Sequence, residues 1–100
     1  MQTIWKYEVP IEDYFEIMMP KGAKILTVQT QLSELDHGGL VENVCIWCIF
    51  DENVSGYEKR KFRLAGTGHD IKEDPLLMTY IGTFQTNSGA FIGHLFELKE

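Results

Sequence analysis

The sequence has few residues that break or cross-link a chain, and it has a deficit of positive charge. Its 100 residues include three prolines and two cysteines, and 9 basic against 15 acidic side chains give a formal charge of −6. Nonspecific binding to duplex nucleic acid depends on neutralising phosphates, so this charge argues against such a partner. Apolar runs stay far below the roughly 20 residues that span a bilayer, which argues against a membrane partner.

The length indicates the number of domains, and the first residues indicate the cellular location. One hundred residues predict a single domain, 1–100, with one modest core. Apolar surface left near solvent in so small a domain favours a homo-oligomer. The N-terminus alternates polar and apolar residues instead of presenting a charged head and an apolar stretch. We therefore expect a cytoplasmic protein, located in the host cell cytoplasm if its origin is viral.

The two cysteines, Cys45 and Cys48, form a Cys-x-x-Cys motif inside the apolar run 44–50. A redox role requires the motif to open a helix, and a zinc site requires a second pair of ligands. Residues three apart on a strand point to opposite faces, so these thiols cannot chelate one ion. We expect two inert buried thiols, and we predict neither a metal site nor a cofactor.

Alternating polar and apolar residues predict strands along most of the chain. The run 44–50 is apolar on both faces and should be central in its sheet. In segment 24–32, Leu26, Val28, Thr30 and Leu32 are expected to share one face. The polar segment 33–43 predicts a loop, residues 86–89 predict a hairpin connection, and only residues 70–78 could hide a short helix.

The spacing of turns indicates the fold class. Six or seven strands with a turn every eight to twelve residues are typical of an all-β fold. We predict a small antiparallel β-sandwich or barrel with little or no helix.

Four of the nine basic residues are concentrated in segment 57–63. On a strand, Lys59, Lys61 and Arg63 would project from one face. This basic ribbon concentrates positive potential on an acidic protein, so it is a candidate site for a phosphate group or an acidic partner. The alternative is an edge strand that lysines protect against aggregation.

The next motif along the chain is Gly66-Thr67-Gly68-His69-Asp70. Closely spaced glycines allow backbone amides to converge on an anion, although phosphate loops have longer signatures that lead into a helix. The alternative is a tight turn in which glycines supply positive φ and His69 caps backbone groups. Together the two segments give the candidate ligand-binding residues, which are Lys59, Lys61, Arg63, Thr67, Gly68 and His69.

Catalytic patterns are weaker than binding patterns in this sequence. His94 would share a strand face with Ile92 and Phe96, which is typical of a satisfied core or interface residue. The histidines lack metal-ligand spacings, and neither serine nor cysteine has a plausible base nearby in sequence. We therefore predict that the protein is not an enzyme. Strand aromatics that emerge beside the basic ribbon would form a stacking platform for a planar ligand such as a base.

Four stretches of the sequence are distinctive: MPKGAKILTVQ at 19–29, GTGH at 66–69, YIGTFQ at 80–85 and FIGHLFE at 91–97. Together they resemble a family of short phage and bacterial proteins classed as a domain of unknown function. The resemblance covers most of the chain from residue 19 onward, but the loop at 33–43 is longer than its counterpart in the family. The resemblance implies a viral or prophage origin and no assigned activity.

These observations favour a non-enzymatic accessory binding protein of the phage type. Its partner would be a small anionic ligand, such as a signalling nucleotide that it sequesters, or a host protein that it occludes to counter a host defence. One alternative is a structural β-domain of a virion or of its assembly, which packs against copies of itself. A further alternative is a small phosphohydrolase that uses His69, Asp70 and His94.

Overall fold

The computed structural model describes residues 1–99 and consists mainly of strands. In chain order these are β1 (Gln2–Glu8), β2 (Tyr14–Pro20), β3 (Lys24–Glu34), β4 (Leu40–Asp51), β5 (Tyr57–Gly66), β6 (Met78–Thr86) and β7 (Phe91–Leu98). The described residues also contain a 3₁₀ turn at Pro75–Leu77 and a tight turn at Asn87–Gly89, in which Ser88 has a positive φ. The predicted all-β fold of six or seven strands is confirmed, with seven strands present. In the segment 70–78, where a short helix was possible, the structure has only the first of these turns.

The strands form two antiparallel sheets that share one core. The strand order is β1-β4-β3 in the three-stranded sheet and β2-β5-β7-β6 in the four-stranded sheet. The arrangement is therefore a sandwich and not a closed barrel. Both sheets contribute to the buried core, which contains Val9, Phe15, Met19, Ala23, Val28, Val44, Ile46, Cys48, Phe50, Phe62, Leu64, Phe84 and Leu95.

Strand β4 lies between β1 and β3, which confirms the central position predicted for residues 44–50. Ile46 and Cys48 point into the core and are fully buried. Cys45, on the opposite face, is also buried, beneath the side chain of Gln31. Burial on both faces explains why this segment has no polar residue.

The edge strands β3 and β6 of the two sheets lie side by side. A Cβ atom at Gly82 would stand 2.8 Å from Cγ1 of Val28, so the glycine is what allows β6 to approach β3. Thr30 Oγ1 donates a hydrogen bond of 2.6 Å to the carbonyl oxygen of Gln85. The two sheets are therefore joined at this edge by packing and by a side-chain bond, without a continuous backbone ladder.

The predicted loop at 33–43 is wrong in its extent. Strand β3 continues to Glu34 and β4 begins at Leu40, so only residues 35–39 form the turn of a long hairpin. The hairpin end extends past the core, where Leu32 and Leu40 are exposed. A strand pair that is solvated on both faces needs no apolar alternation, which is why the sequence pattern of a strand is missing here.

The expected common face of segment 24–32 also needs a correction at Leu26. The β3–β4 register shifts between Ile25 and Thr27, so Leu26 occupies a β-bulge. Its side chain is 46% exposed, whereas that of Val28 is buried in the core. A bulge adds one residue to the strand and thereby reverses the face on which the preceding side chains lie.

Residues 67–77 form a crossover connection over the four-stranded sheet. Strands β5 and β6 are both antiparallel to β7, which lies between them, so they are parallel to each other. Parallel strands require the chain to return along the sheet before it enters the next strand. The crossover therefore carries the Gly-Thr-Gly-His motif at its start and the Pro75–Leu77 turn at its end.

Candidate functional site

The four-stranded sheet has one face in the core and one face directed away from it, which we call the outer face. On β5, Phe62 and Leu64 are buried in the core, so Lys59, Lys61 and Arg63 lie on the outer face. Strand β5 pairs with β2 over residues 57–63 and with β7 over residues 62–66. The interpretation of the basic ribbon as a protected edge strand is therefore wrong for Arg63, whereas the part with Lys59 and Lys61 pairs with β2 alone, as that interpretation expects.

Arg63 is committed to contacts within the protein. It is 5% exposed, and its guanidinium lies 4.9 Å from the centroid of the Tyr14 ring. Nε donates to Glu73 Oε1 at 3.2 Å, and Nη2 donates to the carbonyl oxygen of Asp70 at 3.0 Å. Nη1 donates to the carbonyl oxygen of Leu64 at 2.6 Å. This arginine fastens the crossover to the sheet, with its donors directed at protein acceptors.

The two lysines of the ribbon lie farther along the same face. Lys59 forms an ion pair of 3.8 Å with Glu16 of β2, and both side chains are at least half exposed. Lys61 lines a shallow cavity of about 390 Å³ together with Tyr14, Glu16 and Leu98. The ribbon thus borders a recess at Lys61, but Glu16 places negative charge in the same recess.

The Gly-Thr-Gly-His segment folds into a tight turn. Gly68 has a φ of +87°, and a Cβ atom at Gly66 would stand 2.7 Å from Cε1 of His69. The Gly66 N–H donates to His69 Nδ1 at 3.2 Å, and the His69 N–H donates to the Gly66 carbonyl oxygen at 3.1 Å. These contacts match the alternative in which glycine supplies positive φ and His69 caps the backbone.

Thr67 has a different role, because its side chain belongs to a polar cluster on the outer face. Thr67 Oγ1 lies 2.7 Å from His94 Nε2, and Thr83 Oγ1 lies 3.0 Å from His94 Nδ1. The Tyr80 hydroxyl lies 2.6 Å from Thr83 Oγ1. We call these four residues the imidazole–hydroxyl cluster. It brings together the crossover, β6 and β7.

An aromatic pair adjoins this cluster. Phe96 lies two residues from His94 on β7, and its ring centroid is 5.7 Å from that of Tyr80 at an interplanar angle of 59°. Tyr80 is 58% exposed. The shared face predicted for His94 and Phe96 is confirmed by their pairing with outer-face residues of β5. The exposed Tyr80 ring therefore stands in the outer face beside Phe96 and carries one of the hydroxyls of the cluster.

Sequence reasoning missed Tyr80 and Thr83 as members of a site. They are three residues apart, and such residues point to opposite faces of a regular strand. The β6–β7 register shifts between Tyr80 and Gly82, so a β-bulge at Ile81 returns both side chains to one face. The available signal was Gly82, because a glycine inside a strand often marks a bulge.

Arg60 occupies the other side of β5 and forms an internal ion pair. Its Nε and Nη2 donate to the two carboxylate oxygens of Glu97, and Nη1 donates to the Ala23 carbonyl oxygen at 2.8 Å. The hydrogen bond to Glu97 raises the pKa of the guanidinium. This pair lines a cleft of about 500 Å³ between the bulges of β3 and β6. Its groups hold the sheets together and are engaged with one another.

The two cysteines are free and buried on opposite faces of β4, as the sequence predicts. Burial raises the pKa of both thiols, which disfavours the reactive thiolate form. Within residues 1–99, no group of three or more His, Cys, Asp or Glu side chains is arranged to hold a metal ion. The same residues contain no helix that is long and apolar enough to cross a membrane.

Fold and site together define a two-sheet antiparallel β-domain with a polar and aromatic patch on the outer face of its larger sheet. The chain belongs to the family described as a domain of unknown function (DUF7352), whose model matches residues 1–100. This result confirms the resemblance to a domain of unknown function. Comparison with curated proteins and with solved structures gave no match.

Proposed function

We propose that this protein is a non-enzymatic binding protein that holds a small, phosphate-bearing planar ligand, such as a nucleotide, on the outer face. The supporting observation is the position of Tyr80. Its exposed ring packs against Phe96, while its hydroxyl belongs to the imidazole–hydroxyl cluster. A planar ring can stack on the aromatic pair while its anionic group reaches the cluster, and such stacking contributes about 1–3 kcal/mol per base.

The cluster is suited to an anion because of the hydrogen-bonding capacity of its members. A neutral imidazole has one donor and one acceptor, whereas a protonated imidazole donates from both nitrogens. If His94 is protonated, both Thr67 Oγ1 and Thr83 Oγ1 accept from it, so their hydroxyl hydrogens become available to a ligand. The bound anion would then meet a positive ring and two O–H donors, those of Thr67 and Thr83, while the Tyr80 hydroxyl donates to Thr83.

Isothermal titration calorimetry tests the proposal with a panel of linear and cyclic mono- and dinucleotides. We expect at least one of them to bind, and Tyr80→Leu to weaken the binding roughly tenfold or more through loss of stacking. His94→Gln should also weaken the binding, because it removes the ring that joins the Thr67 and Thr83 hydroxyls. Absence of binding to every nucleotide, or binding that both variants leave unchanged, would contradict the proposal.

A matched control distinguishes the loss of a cluster hydroxyl from the loss of any hydroxyl on the same strand. Thr83→Val removes a cluster hydroxyl on β6, and Thr79→Val removes a hydroxyl from the same strand at a position that lines the cleft between the sheets. We expect only the first substitution to weaken nucleotide binding. Lys61→Ala tests the recess at the far end of the ribbon, where an unchanged affinity is expected.

A protein partner is a second candidate, because the crossover exposes large apolar side chains. Ile71, Leu76 and Leu77 are 41%, 79% and 53% exposed within an otherwise polar connection. Such side chains are typical of contacts with another protein. In this case Leu76→Ser with Leu77→Ser would abolish partner binding and leave nucleotide binding intact. A role against host defence, in virion assembly or in phosphohydrolysis stays a prediction from the sequence.

A further inference from the structure

The four edge strands of the sandwich differ in how their backbone groups are covered. Edges β3 and β6 lie against each other and each carries a bulge. Edge β2 ends in Pro20, which has no N–H to donate. Edge β1, Gln2–Glu8, has neither a proline nor a bulge, and among residues 1–99 only β4 pairs with it. Proteins normally protect such an edge against pairing.

The hydrogen bonds to β4 identify the backbone groups that β1 leaves unpaired. The Val9 N–H donates to the Val44 carbonyl oxygen at 2.8 Å, and the Met1 carbonyl oxygen accepts from the Glu52 N–H at 2.8 Å. Odd-numbered residues therefore direct their backbone groups to β4. Because these directions alternate along a strand, even-numbered residues direct theirs away from the sheet. The free edge consists of Gln2, Ile4, Lys6 and Glu8.

We propose that β1 pairs antiparallel with β1 of a second copy, about a two-fold axis at Trp5. The result is a continuous six-stranded sheet across two molecules. Trp5 is the midpoint of Gln2–Glu8, so this register pairs the whole strand and places Trp5 opposite Trp5 of the second copy. The other cross-strand partners are Gln2 with Glu8, Thr3 with Tyr7, and Ile4 with Lys6.

The side chains of β1 favour this register over its neighbours. Trp5 is 43% exposed and packs its ring against Phe50 at 4.6 Å, so its outer half is available to a second indole. Cross-strand aromatic pairs stabilise antiparallel sheets. A shift of the symmetry centre to Lys6 would oppose two like charges. In the proposed register each lysine lies beside Ile4, which is 54% exposed.

Lys6 does not block the edge, although lysines often protect edge strands. Its Nζ donates to Gln31 Oε1 at 2.8 Å, across the surface of its own sheet. The ammonium group is therefore drawn towards β3 and away from the free edge. The pairing surface also lies in the three-stranded sheet, so the proposal stands independently of the ligand site on the four-stranded sheet.

Sedimentation and light scattering across a dilution series measure the oligomeric state. We expect a wild-type particle of twice the 11.5 kDa chain mass. Ile4→Pro removes an outward N–H without affecting the ladder to β4, and it should produce a monomer. Met18→Pro is the matched control on edge strand β2. The Asp13 carbonyl oxygen accepts from the Leu64 N–H, so odd-numbered residues of β2 direct their backbone groups to β5. Met18 is even-numbered, and its N–H therefore points to the free edge of β2. This variant should remain a dimer.

Covalent trapping tests the register and does not depend on the folding of the proline variants. Directly opposite residues without mutual hydrogen bonds have Cα atoms about 4.5 Å apart, a separation that a disulfide spans. Trp5→Cys should therefore form a cross-linked dimer on mild oxidation, whereas Thr3→Cys, opposite Tyr7, should not. A monomeric wild type, a dimer that persists in folded Ile4→Pro, or equal cross-linking of the two cysteine variants would overturn the proposal.

Discussion

Arg63 and Tyr14 lie opposite each other on β5 and β2, with the guanidinium carbon 4.9 Å from the centroid of the tyrosine ring. Glu73 of the crossover accepts a hydrogen bond from each member of this pair. Its Oε2 accepts from the Tyr14 hydroxyl at 2.5 Å, and its Oε1 accepts from Arg63 Nε at 3.2 Å. One carboxylate therefore fastens the crossover to an edge strand and to an inner strand of the same sheet.

Replacement of Arg63 is expected to destabilise the fold. Arg63→Ala should lower the free energy of unfolding by about 3 kcal/mol, because it leaves Glu73 without its cation and removes the bonds to the crossover. Arg63→Lys should recover little of this, since an ammonium group cannot reproduce the planar fork. Lys59→Ala is the control, with an expected change within about 0.5 kcal/mol. Urea denaturation measures all three, and a fully stable Arg63→Ala would show that the crossover is held by other contacts.

The same cluster predicts how stability depends on acid. The hydrogen bond from Tyr14 and the contact with Arg63 lower the pKa of Glu73. A group whose pKa is lower in the folded state stabilises the protein above its ordinary pKa, and this contribution is lost as the pH falls through the folded-state value. Glu73→Gln should therefore reduce the loss of unfolding free energy between neutral and acidic pH. Tyr14→Phe should reduce it in part, and an unchanged acid dependence in both variants would refute the assignment.

The β6–β7 turn offers a stabilising substitution. Ser88 has a φ of +56° and Gly89 a φ of +91°, and the Ala90 N–H donates to the Asn87 carbonyl oxygen at 3.1 Å. Positive φ at both central residues defines a type I′ turn, for which Asn-Gly is strongly preferred. We expect Ser88→Asn to raise the free energy of unfolding by about 0.5 kcal/mol, and Ser88→Val to lower it by about 1 kcal/mol. Thermal unfolding measures both variants. An unfolding temperature lower for Ser88→Asn than for Ser88→Val would contradict the assignment of the turn.

The thiols should be inaccessible in the native protein. Because Cys45 and Cys48 are buried and their pKa values are raised, we expect a thiol-specific reagent to modify them slowly under native conditions and rapidly in denaturant. A colorimetric thiol assay measures both rates. Fast native modification of either cysteine would contradict the packing of β4.

Local alternation predicted most of this fold because a half-buried strand imposes a period of two on its sequence. The apolar run 44–50 also predicted the central strand correctly, because a strand that is covered on both faces needs no polar residues. The hairpin end around 33–43 was missed because it lies beyond the core. There the side chains face solvent whether the chain forms a loop or a strand, so the sequence lacks the alternation that would indicate a strand.

The site was less predictable, because its members are brought together by tertiary structure. Thr67, Thr83 and His94 come from three elements, and a bulge at Ile81 alters the face of the neighbouring residues. Arg63 was a reasonable candidate for an exposed cation on the strand pattern alone. Its burial depends on the crossover, whose path follows from the parallel relation of β5 and β6.

Chemical-shift mapping of isotope-labelled protein, titrated with the nucleotide that binds most tightly, tests the proposed function most directly. We predict that the largest changes will occur at Thr67, Tyr80, Thr83, His94 and Phe96. Both ring nitrogens of His94 should shift, because each lies within hydrogen-bond distance of a cluster hydroxyl. Changes concentrated at Lys59 and Lys61, or on the three-stranded sheet, or no change with any nucleotide, would contradict binding at the outer face.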